Sequence, residues 1–292
     1  MDASPLLRTL KVAVLTASLV AGTAYANCQC GELIAKKFYD ANANGVHDAG
    51  EPMLPGWRMT VTSVSRAYSS TRNTNVYGNA VFGVLAASDY VVREGTPLQT
   101  NWVQSSPRDG AGNPINPLTG VKVVGGQTTR VKFGNYCTKA GGGRTPGFWS
   151  NKNGFATLMD GSSYLPELAL LSSLNLRDAN GQNFDPADYA QFRTWLLGGT
   201  ATNMAYMLSV HLAAMRLNVE AGFVNGNRVY APFGGTINEL MALANNSLGA
   251  NPITFSGHPE RAYQERLKNF LAQLNQGAAV VSPTPCAYSF SY

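Results

Sequence analysis

The chain has 292 residues and a formal net charge of +5 at pH 7. A charge balance this mild, without runs of Lys or Arg, excludes the strongly basic class of nucleic-acid-binding proteins. We therefore expect no nucleic-acid partner.

The first 26 residues have the pattern of a secretory signal peptide. Two basic residues precede the apolar segment Val12–Val20, and Ala24-Tyr25-Ala26 is an A-x-A cleavage site. The apolar segment is too short to anchor the chain across a bilayer, and a lipoprotein would need small residues just before Cys28. The mature chain should begin at Asn27, with 20 Lys and Arg against 16 Asp and Glu, and we expect no membrane span in it.

All four cysteines remain after cleavage, and an even count in an exported chain predicts two disulfides. Bonding between Cys28 and Cys30, which are separated by one residue, would strain disulfide geometry. We expect each of them to reach a distant partner, one Cys137 and the other Cys286, and the sequence leaves open which. A metal site made of four cysteines is the alternative, and an oxidising export route argues against it.

The segment from Asp40 to Glu51 fits the calcium-loop pattern D-x-[DN]-x-[DN]-G-x₅-E without a mismatch. Ca²⁺ takes six to eight oxygen ligands in such loops. Gly45 stands where the chain must turn sharply, which suits a residue free to adopt a positive φ. The predicted ligands are the side chains of Asp40, Asn42, Asn44, Asp48 and Glu51 and the carbonyl of Val46.

The surroundings of this loop predict a structural calcium clamp. Pro52 and Pro55 follow closely and argue against an exiting helix, and the segment Trp57–Ser63 alternates like a strand. A loop between two strands has no helices to move, so it should stabilise the fold without acting as a sensor. The alternative is turn chemistry alone, which explains scattered Asn and Gly but not six oxygen positions in register.

Residues 27–138 are predicted to form a β-sandwich. Short alternating or β-branched segments are separated by Gly, Pro and Asn, and a region of this size suits one sandwich. We expect a long loop over Gln104–Gly120. The predicted strands are Leu33–Tyr39, Trp57–Ser63, Ala80–Leu85, Tyr90–Glu94, Val121–Val124 and Thr129–Phe133.

Residues 139–146 form a Gly-rich linker, and residues 147–292 are predicted to be a mainly helical domain of unknown function. Asp185 is the expected N-cap of the first long helix, with Pro186 at its first position. The tail after residue 278 has an extended pattern. The predicted helices are Asp185–Leu197, Thr202–Val219, Ile237–Leu248 and Pro259–Leu274.

The first region resembles the SdrD B-like, or Cna B-type, prealbumin-like modules of bacterial surface proteins. The resemblance is carried by Lys37–Glu51, Leu54–Trp57, Tyr90–Glu94 and Phe133–Cys137 and covers about a third of the chain. It implies an antiparallel sandwich with calcium at the first inter-strand loop, serving as a rigid spacer or adhesive stalk. The second region resembles an uncharacterised module of exported bacterial proteins that begins with TPGFW at Thr145.

Some relatives of these modules form an isopeptide bond between Lys and Asn, assisted by Glu. By resemblance, Glu94 and Asn135 match the Glu and the Asn, whereas the Lys would fall at position 38, where Phe38 stands. Lys36 and Lys37 flank that position, but a shift of one residue turns a strand side chain to the opposite face. The sequence therefore predicts no crosslink, with Glu94 and Asn135 as ordinary polar residues.

No catalytic constellation stands out, and we predict that the chain is not an enzyme. His47 lies in the predicted calcium loop, and His211 and His258 have no partner at helical or catalytic spacing. An aromatic group near the linker could bind sugar rings, but such residues more often pack in a core. That group comprises Phe148, Trp149 and Trp195, with Asn151 and Asn153 as hydrogen-bonding neighbours.

The sequence thus predicts a secreted or cell-surface protein of structural or adhesive function, stabilised by calcium and disulfides. Its partners would be cell-surface or matrix components, or other copies of itself. The alternative is a secreted carbohydrate-binding or carbohydrate-active protein that acts through the helical domain.

Overall fold

The computed structural model describes residues 29–291, so the predicted signal peptide and Cys28 lie outside the described residues. The described chain contains β-sheets followed by helices, a multidomain β + α arrangement. Among these residues, no helix is both long and apolar enough to cross a membrane.

Within residues 29–291, eight strands precede the first helix. In chain order they are β1 (Cys30–Tyr39), β2 (Arg58–Ser63), β3 (Ser69–Asn73), β4 (Asn79–Ala86), β5 (Ser88–Glu94), β6 (Trp102–Ser106), β7 (Leu118–Val123) and β8 (Thr128–Lys139). The six predicted strands match β1, β2, β4, β5, β7 and β8. The predictions missed β3, whose exposed polar residues give no hydrophobic alternation, and β6, which overlaps the start of the predicted long loop.

These strands form two sheets that face each other across an apolar core. One sheet has the order β3-β2-β5-β7, and the other has β4-β1-β8, with β6 also paired to β8. The expectation of a purely antiparallel sandwich is wrong at one pair. β1 and β8 run parallel over eight residues, from Glu32 opposite Thr128 to Tyr39 opposite Asn135.

Seven helices and three short strands follow. They are α1 (Pro146–Trp149), α2 (Lys152–Leu158), α3 (Leu165–Ser172), α4 (Tyr189–Leu197), α5 (Met204–Glu220), β9 (Val229–Tyr230), β10 (Gly235–Thr236), α6 (Ile237–Ala250), α7 (Arg261–Asn275) and β11 (Val280–Val281). The four predicted helices match α4 to α7. The N-cap of α4 is Asp188, not Asp185, since the Asp188 carboxylate accepts the Gln191 N–H at 2.8 Å.

Helix α5 is the centre of the second core. Twelve of its 17 residues are buried, because α6 and α7 pack against it together with the shorter helices. Asn203 caps its first turn by accepting the Ala205 N–H at 3.2 Å. A helix buried nearly all round suits the apolar sequence of this segment.

The C-terminal tail returns to the sandwich. Val280 and Val281 of β11 pair with Lys139 and Thr138 of β8, and a disulfide joins Cys137 to Cys286 with their Cα atoms 6.1 Å apart. The expectation that these two cysteines bond separately to Cys28 and Cys30 is therefore wrong. Cys30 is itself disulfide-bonded. The pairing depends on the tail reaching β8, which sequence spacing does not reveal.

The Gly-rich segment predicted as a linker is a seam that packs closely against the helical region. A Cβ at Gly141, Gly142 or Gly143 would overlap a backbone carbonyl oxygen of Ala278, Phe223 or Leu274, respectively. Arg144 extends the seam, because its N–H and carbonyl both bond the Asn218 side chain, at 2.9 and 2.8 Å. Glycine is needed here for close backbone approach.

We predict that Gly143→Ala lowers the free energy of unfolding by about 1–3 kcal/mol, because the added methyl forces the Leu274 carbonyl to move. The measurement is chemical denaturation of the oxidised protein. Gly161→Ala is the matched control, since a Cβ there meets nothing within 4 Å. Equal stability of the two variants would mean that the segment is a loose linker after all.

Candidate functional site: a buried Lys–Glu–Asn cluster and the Asp40–Glu51 loop

Strand β1 carries a lysine into the core of the sandwich. Its buried positions alternate, so that Leu33, Ala35, Lys37 and Tyr39 share the inward face. Lys37 is 0% exposed. A fully buried lysine needs a specific partner, because an unpaired ammonium is strongly disfavoured in an apolar interior.

Two polar residues meet Lys37 there. Its Nζ lies 2.5 Å from Oε2 of Glu94 and also donates to Oδ1 of Asn135. Glu94 and Asn135 are 3% and 4% exposed. The three side chains form one cluster, which bulk water does not reach.

The topology explains this meeting. Because β1 and β8 are parallel and in register, Lys37 stands opposite Phe133, and Asn135 lies two residues further along the same face. Glu94 arrives from the facing sheet as the last residue of β5. The side chain of Asn116 fixes this strand end by bonding both the N–H and the carbonyl of Glu94, at 3.1 and 3.0 Å.

The prediction that no lysine reaches Glu94 and Asn135 is therefore wrong. Neighbouring strand residues do point to opposite faces, but the inward position is 37 and not 38. Phe38 points to the other side of the sheet, where its ring lies 5.1 Å from the ring of His47. Lys37, one residue earlier, shares the core face with Leu33 and Ala35.

Burial shifts the protonation of the pair towards its neutral form. Desolvation lowers the pKa of Lys37 to about 8, against the opposing charge and hydrogen bond of Glu94. Desolvation likewise raises the pKa of Glu94, against the charge of Lys37 and hydrogen bonds from Lys37 and Asn135. The two shifts bring the pKa values of the amine and the carboxyl group closer together, which lowers the cost of moving the proton from Lys37 to Glu94.

An aromatic cover closes the cluster. The Lys37 Nζ lies 4.5 Å from the ring centroid of Trp57, which is itself fully buried. The Trp102 ring packs edge-on against Trp57, with centroids 5.2 Å apart. A neutral amine, a carboxylic acid and a primary amide in a dry pocket are the groups required for amide exchange with release of ammonia.

The predicted calcium loop is an ordered turn whose side-chain oxygens are held by the loop itself. The buried Asp40 carboxylate accepts the N–H groups of Asn44 and Gly45, at 3.1 and 2.7 Å. Glu51 accepts the N–H groups of Ala41 and Asp48, at 2.7 and 2.9 Å. The loop is thus closed at both ends by carboxylates, and Gly45 makes the turn with a φ of +81°.

Asp48 is the third carboxylate of the loop. It accepts the side-chain amides of Asn42 and Asn44, both at 2.8 Å, and these bonds lower its pKa. The side-chain oxygens of Asn42 and Asn44 accept the N–H groups of Asn44 and Val46, at 3.1 and 2.7 Å. The turn thus brings together residues with the oxygen groups that Ca²⁺ prefers. No group of three or more His, Cys, Asp or Glu suited to a metal occurs among residues 29–291, so a bound ion would depend on Asn and backbone oxygens.

The remaining candidates do not assemble into a site. His211 is half-buried beside Asn275, and burial together with the nearby charge of Lys268 lowers its pKa to about 4. Trp149 is fully buried, and Trp195 donates its indole N–H to the Arg177 carbonyl at 3.1 Å. Both tryptophans belong to the helical core, as the packing interpretation predicted, and neither presents a face to a sugar.

No family model matches the sequence, and no curated protein is significantly similar to it. Solved structures with some likeness include the TIE protein of Bacillus anthracis (18% identity, 37% of this chain, 17% of that chain, TM-score 0.25). The minor pilin GBS52 of Streptococcus agalactiae is another (16% identity, 36% of this chain, 44% of that chain, TM-score 0.26). A third is the major pilin SpaD of Corynebacterium diphtheriae (16% identity, 38% of this chain, 33% of that chain, TM-score 0.27).

The chain therefore spans less than two thirds of each of these three proteins. Similarity at TM-scores this low assigns neither a fold nor a function to this chain. Its fold and its site are therefore defined by its own strands and contacts.

Proposed function

We propose that this chain is a secreted structural protein whose sandwich is locked by an amide bond between Lys37 and Asn135. The buried cluster of Lys37, Glu94 and Asn135, with Nζ 2.5 Å from the Glu94 carboxylate, carries the proposal. The resemblance to crosslinked surface modules supports it. A role at the cell surface or in the matrix follows from the mechanical consequence of the bond.

The reaction balances within the cluster. Glu94 takes a proton from the Lys37 ammonium, and the neutral Nζ attacks Cγ of Asn135 to form a C–N bond. The Glu94 carboxyl stabilises the developing charge on the amide oxygen and passes the surplus Nζ proton to the amide nitrogen. The old C–N bond breaks and ammonia leaves. Ammonia then takes the last proton from Glu94 and departs as ammonium, which restores the carboxylate.

The bond would change how the chain bears tension. It joins the first strand to the last strand of the sandwich, so a pull along the chain bypasses residues 38–134. Two residues further along β8, the disulfide from Cys137 to Cys286 bypasses residues 138–285 in the same way. Tension between the two ends would then run through covalent bonds, which suits a tether or a stalk.

We also propose that Ca²⁺ binds the Asp40–Glu51 loop and stiffens the connection between β1 and β2. The ligands would be Asp40, Asn42, Asn44, Asp48, Glu51 and the Val46 carbonyl. The support is the loop motif, whose oxygen-bearing residues lie together in one turn with Asn42 and Asn44 bonded to Asp48. A clamp here would hold the end of β1, only two residues after Lys37.

The crosslink predicts a mass deficit. The purified, oxidised protein should be lighter than its sequence and disulfides require by one ammonia, as intact mass spectrometry measures. Glu94→Gln should retain the ammonia, because it keeps the shape of the side chain but cannot take a proton. Glu32→Gln, on the same strand as Lys37 but outside the cluster, is the control and should behave as wild type. A full sequence mass in the folded wild type would refute the crosslink.

The covalent path predicts a mechanical phenotype. Pulled by its two ends in single-molecule force spectroscopy, the oxidised wild type should show no unfolding step. Glu94→Gln should release residues 38–134, a gain of roughly 350 Å of extended chain. The control is the same variant before tension, whose circular dichroism should match wild type. If the wild type extends by the same length as the variant, the Lys37–Asn135 bond does not carry the tension.

The calcium loop predicts stabilisation by the ion. With a dissociation constant of about 10⁻⁴–10⁻³ M, about 10 mM Ca²⁺ should raise the free energy of unfolding by about 1.4–2.7 kcal/mol over chelator. Asp48→Asn should lose this gain while keeping the turn closed by Asp40 and Glu51. Asp109→Asn is the matched control, because Asp109 closes a similar Asn-containing turn outside the motif. A calcium response unchanged in Asp48→Asn would place the ion elsewhere.

A further inference from the structure

The last residues of the described chain cover the crosslinking cluster from outside. The rings of Tyr288 and Phe290 lie 4.8 and 5.3 Å from the ring of Trp57, measured between centroids. Tyr288 also packs edge-on against Trp102 at 5.3 Å. Trp57 in turn lies over the Lys37 Nζ. The cover over the lysine is therefore two aromatic layers deep, and the tail supplies the outer layer.

The tail is fastened along its length to the sandwich. Cys286 bonds Cys137, and Ala287 accepts the indole N–H of Trp102 at 3.2 Å. Ser289 accepts the Leu98 N–H through its carbonyl and donates its own N–H to Gln99, at 2.9 and 2.8 Å.

The next residues complete the attachment. The Ser291 carbonyl accepts from Arg58 Nη1 at 2.6 Å, and the Tyr288 hydroxyl donates to the Pro55 carbonyl. A segment with this many specific hydrogen bonds and a disulfide is an integral part of the folded sandwich.

Without the tail, the outer side of Trp57 would face water. Trp57 is fully buried, and its neighbours on that side are Tyr288 and Phe290. Gly95 shows how tightly the tail fits, because a Cβ there would lie 3.1 Å from the Phe290 ring. Lifting the tail would let water approach the lysine that must lose its proton. A hydrated ammonium keeps its proton more strongly than a buried one.

We propose that the tail is a positioning element of the crosslinking site, so that the Lys37–Asn135 bond forms only after Cys286 has joined Cys137. This inference rests on the proposed crosslink. In the first step the two thiols give two electrons and two protons to a small-molecule disulfide, and the tail is fixed over Trp57. In the second step the dry cluster releases ammonia. A crosslinked molecule is therefore one in which the whole chain, including its last residues, has already folded and oxidised.

The test follows both steps by intact mass. The full-length chain, purified with its cysteines reduced, is oxidised with glutathione disulfide, and samples are quenched in acid over time. In wild type, formation of the Cys137–Cys286 bond, which non-reducing peptide mapping of each sample distinguishes from the disulfide of Cys30, should precede loss of one ammonia. In Cys286→Ser and in Tyr288→Ala, ammonia loss should be at least about tenfold slower, since each unit of rise in the Lys37 pKa reduces the neutral amine tenfold. Ser289→Ala, in the same tail but turned away from Trp57, should match wild type.

A rate–pH profile separates positioning from simple unfolding. Glu94 is the charged group that acts on Lys37, and both remain in Tyr288→Ala. The profile of that variant should shift to higher pH, where deprotonation of the hydrated lysine restores part of the rate. A variant that has only lost its fold would release no ammonia at any pH, and that result would overturn the proposal.

The other outcomes are equally distinct. Equal rates in wild type, Cys286→Ser and Tyr288→Ala would overturn the role of the tail and leave the crosslink standing. Absence of ammonia loss from fully oxidised wild type would overturn the crosslink itself, and with it this inference.

Discussion

The burial of an amine, a carboxyl and an amide in one dry pocket is the constraint on which the sandwich depends. Charged groups buried without compensation cost several kcal/mol each in real proteins. The hydrogen bonds among Lys37, Glu94 and Asn135 compensate the cost of burying them. Removing any one of the three side chains leaves the others with fewer polar partners. An amide bond between Lys37 and Asn135 would remove the ammonium from the pocket, so that Glu94 would remain as the one ionisable group of the three. The same dryness that makes the cluster costly is what makes the amine reactive.

Strand β8 is the element through which the two halves of the chain meet. Its inward face supplies Asn135 to the sandwich core, and Cys137 two residues later receives the tail. Its last residues pair with β11, after which the glycines at 141–143 press against the helical core. The helical region is therefore held to the sandwich at both of its ends.

The alternation of short strands and the periodicity of the longer helices were enough to predict most elements. The alternation within β1 also contained the signal for Lys37, because Leu33 and Ala35 define the inward face and Lys37 continues it. The resemblance places the lysine at position 38, one residue later, and this assignment hid the signal. Other features depend on contacts distant in sequence and could not be predicted. The parallel pairing of β1 with β8, the return of the tail to Cys137 and the tight fit of the glycines leave no local pattern.

The calcium loop could be recognised only as a motif, and the fold brings its residues together in one turn around Asp48. The crosslink is the central claim, and peptide mapping tests it most directly. The oxidised protein is unfolded, reduced and digested with trypsin, and the fragments are sequenced by tandem mass spectrometry. The account predicts a branched peptide in which the chain containing Lys37 is joined through Nζ to the chain containing Asn135. Two separate linear peptides, with cleavage after an unmodified Lys37, would contradict it.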